Sequence, residues 1–345
     1  MTSLPATVSG EIGRVAIVGV STHWGLELAE ELARDNRIGS IVGIDTRPPD
    51  RIPEGVEYIE ADIRNPVITR LLPDLAPDVV VHCGIIWYPE EGRPSRALHD
   101  INVIGTLNLL AACEKIGNLS AVVVRGSAAI YGTAPARPVF FTEEMARELP
   151  LVTRFQRDIG ELEGYFENFA RRRPDVTCCM LRFQAEVGPD LDSPLVRYLS
   201  LPVVPVQLGF DPLLQLLHPV DATGALAAAV FNPVDGPVNV APDGSISLSR
   251  LLRLAGKIGL PLPSVLSGPL FKRLGGLLDG ADMYRDGQLL MRYGRGCDNT
   301  RIRREVGYRF AFNTEGAARD FASGRPGPTI FAHPPRPGAG VRVVP

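Results

Sequence analysis

The first residues along the chain that could do chemistry form a turn. The apolar run Val15–Val18 leads into Gly19, Val20, Ser21, Thr22, His23, Trp24 and Gly25, and GLELAEEL then takes up the apolar spacing of a helix. A turn placed there presents unpaired N–H groups and the positive end of the helix dipole, which favours a pyrophosphate. Its plain alternative is an ordinary strand-to-helix turn. Asp45 ends SIVGID about twenty residues beyond Gly25, where an acid accepts the ribose hydroxyls of an adenosine in dinucleotide folds. That acid would repel a 2′-phosphate, whereas Arg47, two residues on, would pair with one, so NAD(H) and NADP(H) both stay open.

Elements of a particular kind must hold such a turn. Val- and Ile-rich runs alternate with helix-period segments: RVAIVGV, GLELAEELARD, SIVGID, VEYIEAD, VITRLLPDLA, DVVVHCGI, INVIGTLNLLAACEKIG, AVVVRGS, a helix over about Thr153 to Arg172, and VTCCMLRF. Continuous apolar strands joined by amphipathic helices predict an α/β fold, a doubly wound parallel sheet of the Rossmann type covered on both faces. Beyond Glu186 the rhythm gives way to Pro-rich connections, returning at HPVDATGALAAAV and GPVNVA. The reading is a dinucleotide-binding domain over 12–185 and 216–242, and a smaller discontinuous substrate lobe over 186–215 and 243–325. Residues 268–290, flanked by glycines, would be a lid, and the Pro/Gly-dense 326–345 a surface tail.

Composition removes several classes of function. The 345 residues are 45% hydrophobic, ample for a core and a second lobe. A net charge of -3 from 36 basic and 39 acidic residues, well mixed, offers no basic stripe for nucleic acid. No apolar run reaches the roughly 18 residues of a membrane span, and the N-terminus lacks a signal pattern, so a cytoplasmic protein is expected. Five cysteines without C-x-x-C spacing read as buried thiols, and five histidines without a ligand motif give no reason to assign a metal.

The turn, the strand order and the stretches VVVHCG, INVIGTLNLL, GSAAIYG, LRFQAEVGP, HPVDATGAL, GPVNVAPDGSISL and CDNTRIRREVGYRF together resemble the extended short-chain dehydrogenase/reductase family, over about Arg14 to Phe321. That family includes nucleotide-sugar epimerases and dehydratases. The resemblance implies an NAD(P)-binding turn of the form G-x-x-G-x-x-G, with Thr22 replacing the middle glycine and one backbone approach made tighter. It puts Asp62 where the adenine amino group is bonded, although a strand-end aspartate is as often a turn residue. Ser127, in Gly126–Gly132, falls at the catalytic serine, and Asn102 matches the helix asparagine of the tetrad. Their plain alternatives are a serine satisfying a strand-end backbone group and an asparagine bonding a neighbouring carbonyl. The helices around Asn102 and Glu163 often form a dimer interface in this family, so a homodimer could form.

Two departures stand out. The family's Y-x-x-x-K falls on Phe155 to Ile159 in the register set by Glu163, and RFQRDIGELEGYF holds no lysine. The asparagine that holds sugar-nucleotide phosphates is replaced by Ala185, among the apolar Phe183, Val187, Leu191, Val196, Leu199 and Leu201. An aromatic ketone suits apolar walls better than a pyrophosphate. Losing the general acid forfeits roughly 10²- to 10⁴-fold in rate, which a phenol on the substrate, or Tyr88, Ser95 or Tyr131, could partly restore. Trp87 and Tyr88 could equally be an aromatic wall, and Phe155 would face the substrate. The expectation is an NAD(P)H-dependent ketoreductase acting on an aromatic polyketide ketone of the angucyclinone type. The alternatives are a nucleotide-sugar epimerase or dehydratase with a remodelled site, and a non-catalytic NAD(P)-binding protein.

Overall fold

The computed structural model describes residues 11–49, 51–87, 95–135, 140–263, 281–324 and 341–343. The strands β1 (Ile12–Val18), β2 (Ile38–Asp45), β3 (Val56–Glu60), β4 (Val79–His82) and β5 (Ala121–Ser127) are joined in one parallel sheet by Thr177–Phe183, Gly236–Val240 and Val341–Val343. From one edge the order is Gly236–Val240, Thr177–Phe183, β5, β4, β1, β2, β3, Val341–Val343. The direction of winding reverses between β1 and β4, the switch point at which this architecture binds ligands. β4 and β5 are buried along their whole length, as strands covered on both faces must be.

Helix α1 (His23–Ala33) packs against Pro219–Phe231, while Ile68–Leu75, Thr106–Cys113 and Arg154–Arg172 pack in a row. Side-chain bonds fix which face each takes. His82 bonds Thr106 at 2.9 Å and Arg182 bonds Glu163 at 2.9 and 2.8 Å, so the latter helices cover the His82 and Arg182 face. Gly126 pairs with Arg182 in register, and alternation along β5 turns Arg125 and Ser127 to the opposite face, toward α1. Thr153 starts the Arg154–Arg172 helix through a capping box with Gln156. The doubly wound sheet expected from the sequence is therefore present.

A second core lies beyond Glu186, uniting Val187, Val196, Leu199, Leu214, Leu251 and Phe321 from separated stretches of chain. Val341–Val343 adds a parallel edge strand on β3, so the C-terminal stretch read as a surface tail contributes to the sheet; residues 325–340 lie outside the described residues. LSRLLRLAGKIGL divides into a helix at Leu248–Leu254 and a strand at Ile258–Leu262 after Gly256, which has φ of +64°. All five cysteines are buried, and no helix among the described residues is long and apolar enough to cross a membrane.

His82 ties the sheet to the helix carrying Asn102. Thr106 Oγ1 donates to the Asn102 carbonyl at 2.6 Å, so it accepts from His82 Nε2, and the imidazole is neutral with Nδ1 unprotonated. Burial pushes its pKa from 6.5 down to about 4. A depressed folded pKa means that the unfolded chain takes up the proton first, so this contribution to stability is present above pH 6.5 and is lost on acidification toward pH 4. The expected loss is on the order of 3 kcal/mol. Urea unfolding between pH 4 and 7 should show this slope in the wild type and a flatter one in His82→Gln; equal slopes would disprove the assignment.

Candidate functional site

The glycine turn is shaped first by the protein itself. Gly19 has φ of +84°, and a Cβ there would meet Gly84 N at 2.3 Å; one on Gly25 would meet Gly19 O at 2.2 Å. The loops after β1 and β4 thus touch across the switch point, and these approaches alone require glycine at both positions. Thr22 is no cramped substitute for a third glycine. Its φ of -75° is ordinary, its hydroxyl donates to Gly19 O at 2.7 Å, and it caps α1 by accepting from Gly25 N at 3.1 Å.

Asp45 braces the turn from β2. Its carboxylate accepts from Ser21 N at 3.0 Å and Thr46 N at 2.7 Å, and burial raises its pKa against the lowering effect of those bonds. A carboxylate offers about four acceptor sites, so capacity remains for a ribose hydroxyl. Arg47 is exposed beside it, with its carbonyl accepting from Ser21 Oγ at 2.5 Å. Asp62 lies over the end of β3 in a bidentate pair with Arg64, at 3.0 and 2.6 Å. Burial acts to raise its pKa, but the Arg64 bonds prevail and lower it. The structure thus brings Gly19, Thr22, Gly25, Asp45 and Arg47 together at the carboxyl edge, with Asp62 on the same side of the switch point.

On the other side, Ser127 ends β5, 4% exposed, with Oγ accepting from Ala129 N at 3.2 Å, which leaves its proton available to donate. Asn102 does not reach it. Within a π-helical turn at Asp100–Gly105, its amide donates to Ile86 O at 2.9 Å and accepts from Ile86 N at 2.8 Å, so it positions the loop after β4. Tyr131 must be corrected as a substrate group: it is fully buried, donating to Asn239 Oδ1 at 2.6 Å and accepting from Arg182 at 2.9 Å. Burial raises its pKa, the wrong direction for a ready proton donor. Arg182 in turn holds Glu163 through two bonds and Glu143 O through a third, forming one buried polar unit behind Ser127.

Ile159 is 0% exposed within the main core, and Phe155 packs half-buried against it. Beside them, His99 Nδ1 bonds Asp158 at 2.9 Å. Ser95 begins a helix at Ser95–His99, its side chain outside what is described, and Tyr88 lies outside the described residues. Ala185 is partly exposed, and its carbonyl accepts from Leu217 N at 2.9 Å. The apolar residues around it do not form an open pocket. Phe183 belongs to the main core and Val187, Val196 and Leu199 to the second, with Leu201 packed against it; Leu191 is also buried. Periodic apolar positions signal burial, and here the burial is core.

A cavity of about 330 Å³ opens among the described residues, between the loop after β5 and later segments of the chain. Arg292, Arg295, Tyr293, Phe210, Phe141 and Thr133 line it. The Arg292 guanidinium lies 4.5 Å from the centre of the Phe210 ring. Arg292 Nε and Thr133 Oγ1 are buried there with no hydrogen-bond partner among the described residues. Neither arginine stood out in the sequence; the only signal was two arginines bracketing Tyr293 and Gly294.

Trp87, expected at a substrate wall, stacks instead on a group that sequence reasoning overlooked. Arg125, fully buried, lies over the rings of Trp24 at 3.7 Å and Trp87 at 3.9 Å and pairs with Glu186. The one available signal was a charge inside the apolar run AVVVRGS.

This sheet, turn and strand-end serine define a dinucleotide-binding epimerase/dehydratase architecture. The chain belongs to the NAD dependent epimerase/dehydratase family, whose profile matches residues 15–193, and whose cofactor is a nicotinamide dinucleotide. It is 35% identical over 317 residues to the uncharacterized protein Rv0501 of Mycobacterium tuberculosis, covering 90% of this chain and 84% of that one. Among solved structures it resembles the UDP-glucose 4-epimerase of Thermotoga maritima with UDP-glucose, with a TM-score of 0.68, 16% identity and coverage of 90% and 97%. It also resembles Bordetella bronchiseptica WbmH in complex with NAD+, with a TM-score of 0.66, 18% identity and coverage of 90% and 98%.

The adenosine end of such a cofactor fits the glycine turn and Asp45. The family's proton relay does not fit: Ile159→Lys would place an ammonium in the core and should cost about 3 kcal/mol or more, whereas Phe155→Tyr should be nearly neutral. Urea denaturation of both variants decides this, and an Ile159→Lys protein as stable as the wild type would show that the side chain has a route to solvent.

Proposed function

We propose that this chain is a remodelled nucleotide-sugar member of its family: a protein that binds NAD(P) at the glycine turn and a nucleoside-diphosphate ligand in the Arg292–Arg295 cavity, without tyrosine–lysine proton transfer. The observation that carries the reading is the chemistry of that cavity, two arginines with Phe210 and Tyr293. Guanidinium groups match phosphate oxygens, and the Phe210 and Tyr293 rings hold the Arg292 guanidinium in the cavity wall. The UDP-glucose bound by the Thermotoga neighbour is a ligand of this chemistry. Ala185 removes one amide ligand, and in this reading the charge offered to phosphates comes from Arg292 and Arg295 in a different wall.

Reduction of an apolar aromatic polyketide ketone has weaker support. Its pocket was inferred from side chains that are core, and a hydrophobic polycycle would leave Arg292 Nε buried without a partner. Calorimetry with UDP, UDP-glucose and dTDP-glucose should show saturable binding, weakened about 10- to 100-fold by Arg292→Ala, the value of a charged hydrogen bond. Absence of binding by all three, alongside binding of a hydroxylated polycyclic ketone, would reverse the choice.

A further inference from the structure

A dinucleotide across this sheet has two halves, one on each side of the switch point. Asp45 and Asp62 mark the adenosine side, over β2 and β3, so the nicotinamide ring must lie over β4, β5 and Thr177–Phe183, toward Ser127. Four side chains converge there from four separate segments: Trp24 from the first turn of α1, Trp87 from the loop after β4, Arg125 from two residues before Ser127, and Glu186 from just beyond Phe183.

They form a closed unit. The Arg125 guanidinium lies 3.7 Å from the centre of the Trp24 ring, 3.9 Å from that of Trp87 and 4.9 Å from that of Phe183. The two indoles are stacked, 26° from parallel with centroids 6.2 Å apart. Glu186 accepts from Arg125 Nη2 with one oxygen and from Trp24 Nε1, at 2.5 Å, with the other. Arg125 is 0%, Glu186 4% and Trp87 7% exposed. Arg125, Trp87 and Glu186 are therefore packed solid, Trp24 closes the stack as its partly exposed side, and the centre is a flat cation between aromatic faces, the shape and charge of an oxidised nicotinamide.

We propose that Trp24, Arg125, Trp87 and Glu186 are a built-in plug of the nicotinamide half-site. NAD(P) binds through its adenosine diphosphate half, its ring lies outside the stack, and the bound dinucleotide transfers no hydride. Seating the ring would require parting the indoles and breaking a desolvated ion pair, which a neutral or cationic ring cannot replace. The inference rests on the dinucleotide reading of the glycine turn and refines it.

Calorimetry of the full-length protein with ADP-ribose and with NADH tests it, with NADH fluorescence as a second readout. The two ligands should bind within about threefold of each other, since the ring adds no contacts, and NADH emission should neither brighten nor shift. An Arg125→Ser/Glu186→Gln double variant, which removes both charges at once, should bind NADH about tenfold more tightly than ADP-ribose, with brighter emission. A wild-type preference for NADH of that size, brightened emission in the wild type, or a folded double variant that still treats the ligands alike overturns the plug. Binding of neither ligand removes the dinucleotide reading and the plug with it. The wild-type comparison stands even where the double variant fails to fold.

Discussion

Two buried guanidinium groups, on adjacent strands and opposite faces of the sheet, set the arrangement of everything near Ser127. A charge taken out of water must be compensated in place, and removing its partner leaves a penalty of several kcal/mol. Arg182 obtains that compensation from Glu163, Tyr131 and the Glu143 carbonyl. Arg125 obtains it from Glu186 and two indole faces.

The consequence differs between the two ends of the crevice. At the adenosine end the chain follows the demands of a nucleotide site: backbone loops in contact, a helix N-terminus and a buried carboxylate with acceptor capacity. At the other end, hydroxyls and amides have partners within the protein. Asn102 grips Ile86, Tyr131 is held by Asn239 and Arg182, and Ser127 keeps its proton to donate.

Much of this was legible in the sequence. The parallel sheet followed from Val- and Ile-rich runs alternating with amphipathic helices, and the glycine turn from its place after β1. Phe155 and Ile159 could be identified because Glu163 fixes the register, and the Glu163–Arg182 pair shows why that register is rigid. The walls around Ala185 were misread because an apolar residue facing a cavity and one facing the core have the same periodicity. Arg125 was passed over because a charge within a strand pattern carries no sign of its partners, which lie 101, 61 and 38 residues away at Trp24, Glu186 and Trp87. The Val341–Val343 strand was hidden by the Pro/Gly-rich chain before it.

The departures near Ser127 are mutually consistent. A tyrosine–lysine relay moves a proton at the oxygen whose carbon exchanges hydride with the nicotinamide, and under the proposed plug, with Arg125 in the ring position, there is no such exchange to serve. Under the same proposals, nucleotide binding at the turn and anion binding at Arg292 need neither the relay nor the ring, so both would persist without hydride chemistry. In that proposed arrangement the fold keeps its two ligand-holding ends and fills the reaction centre between them with protein.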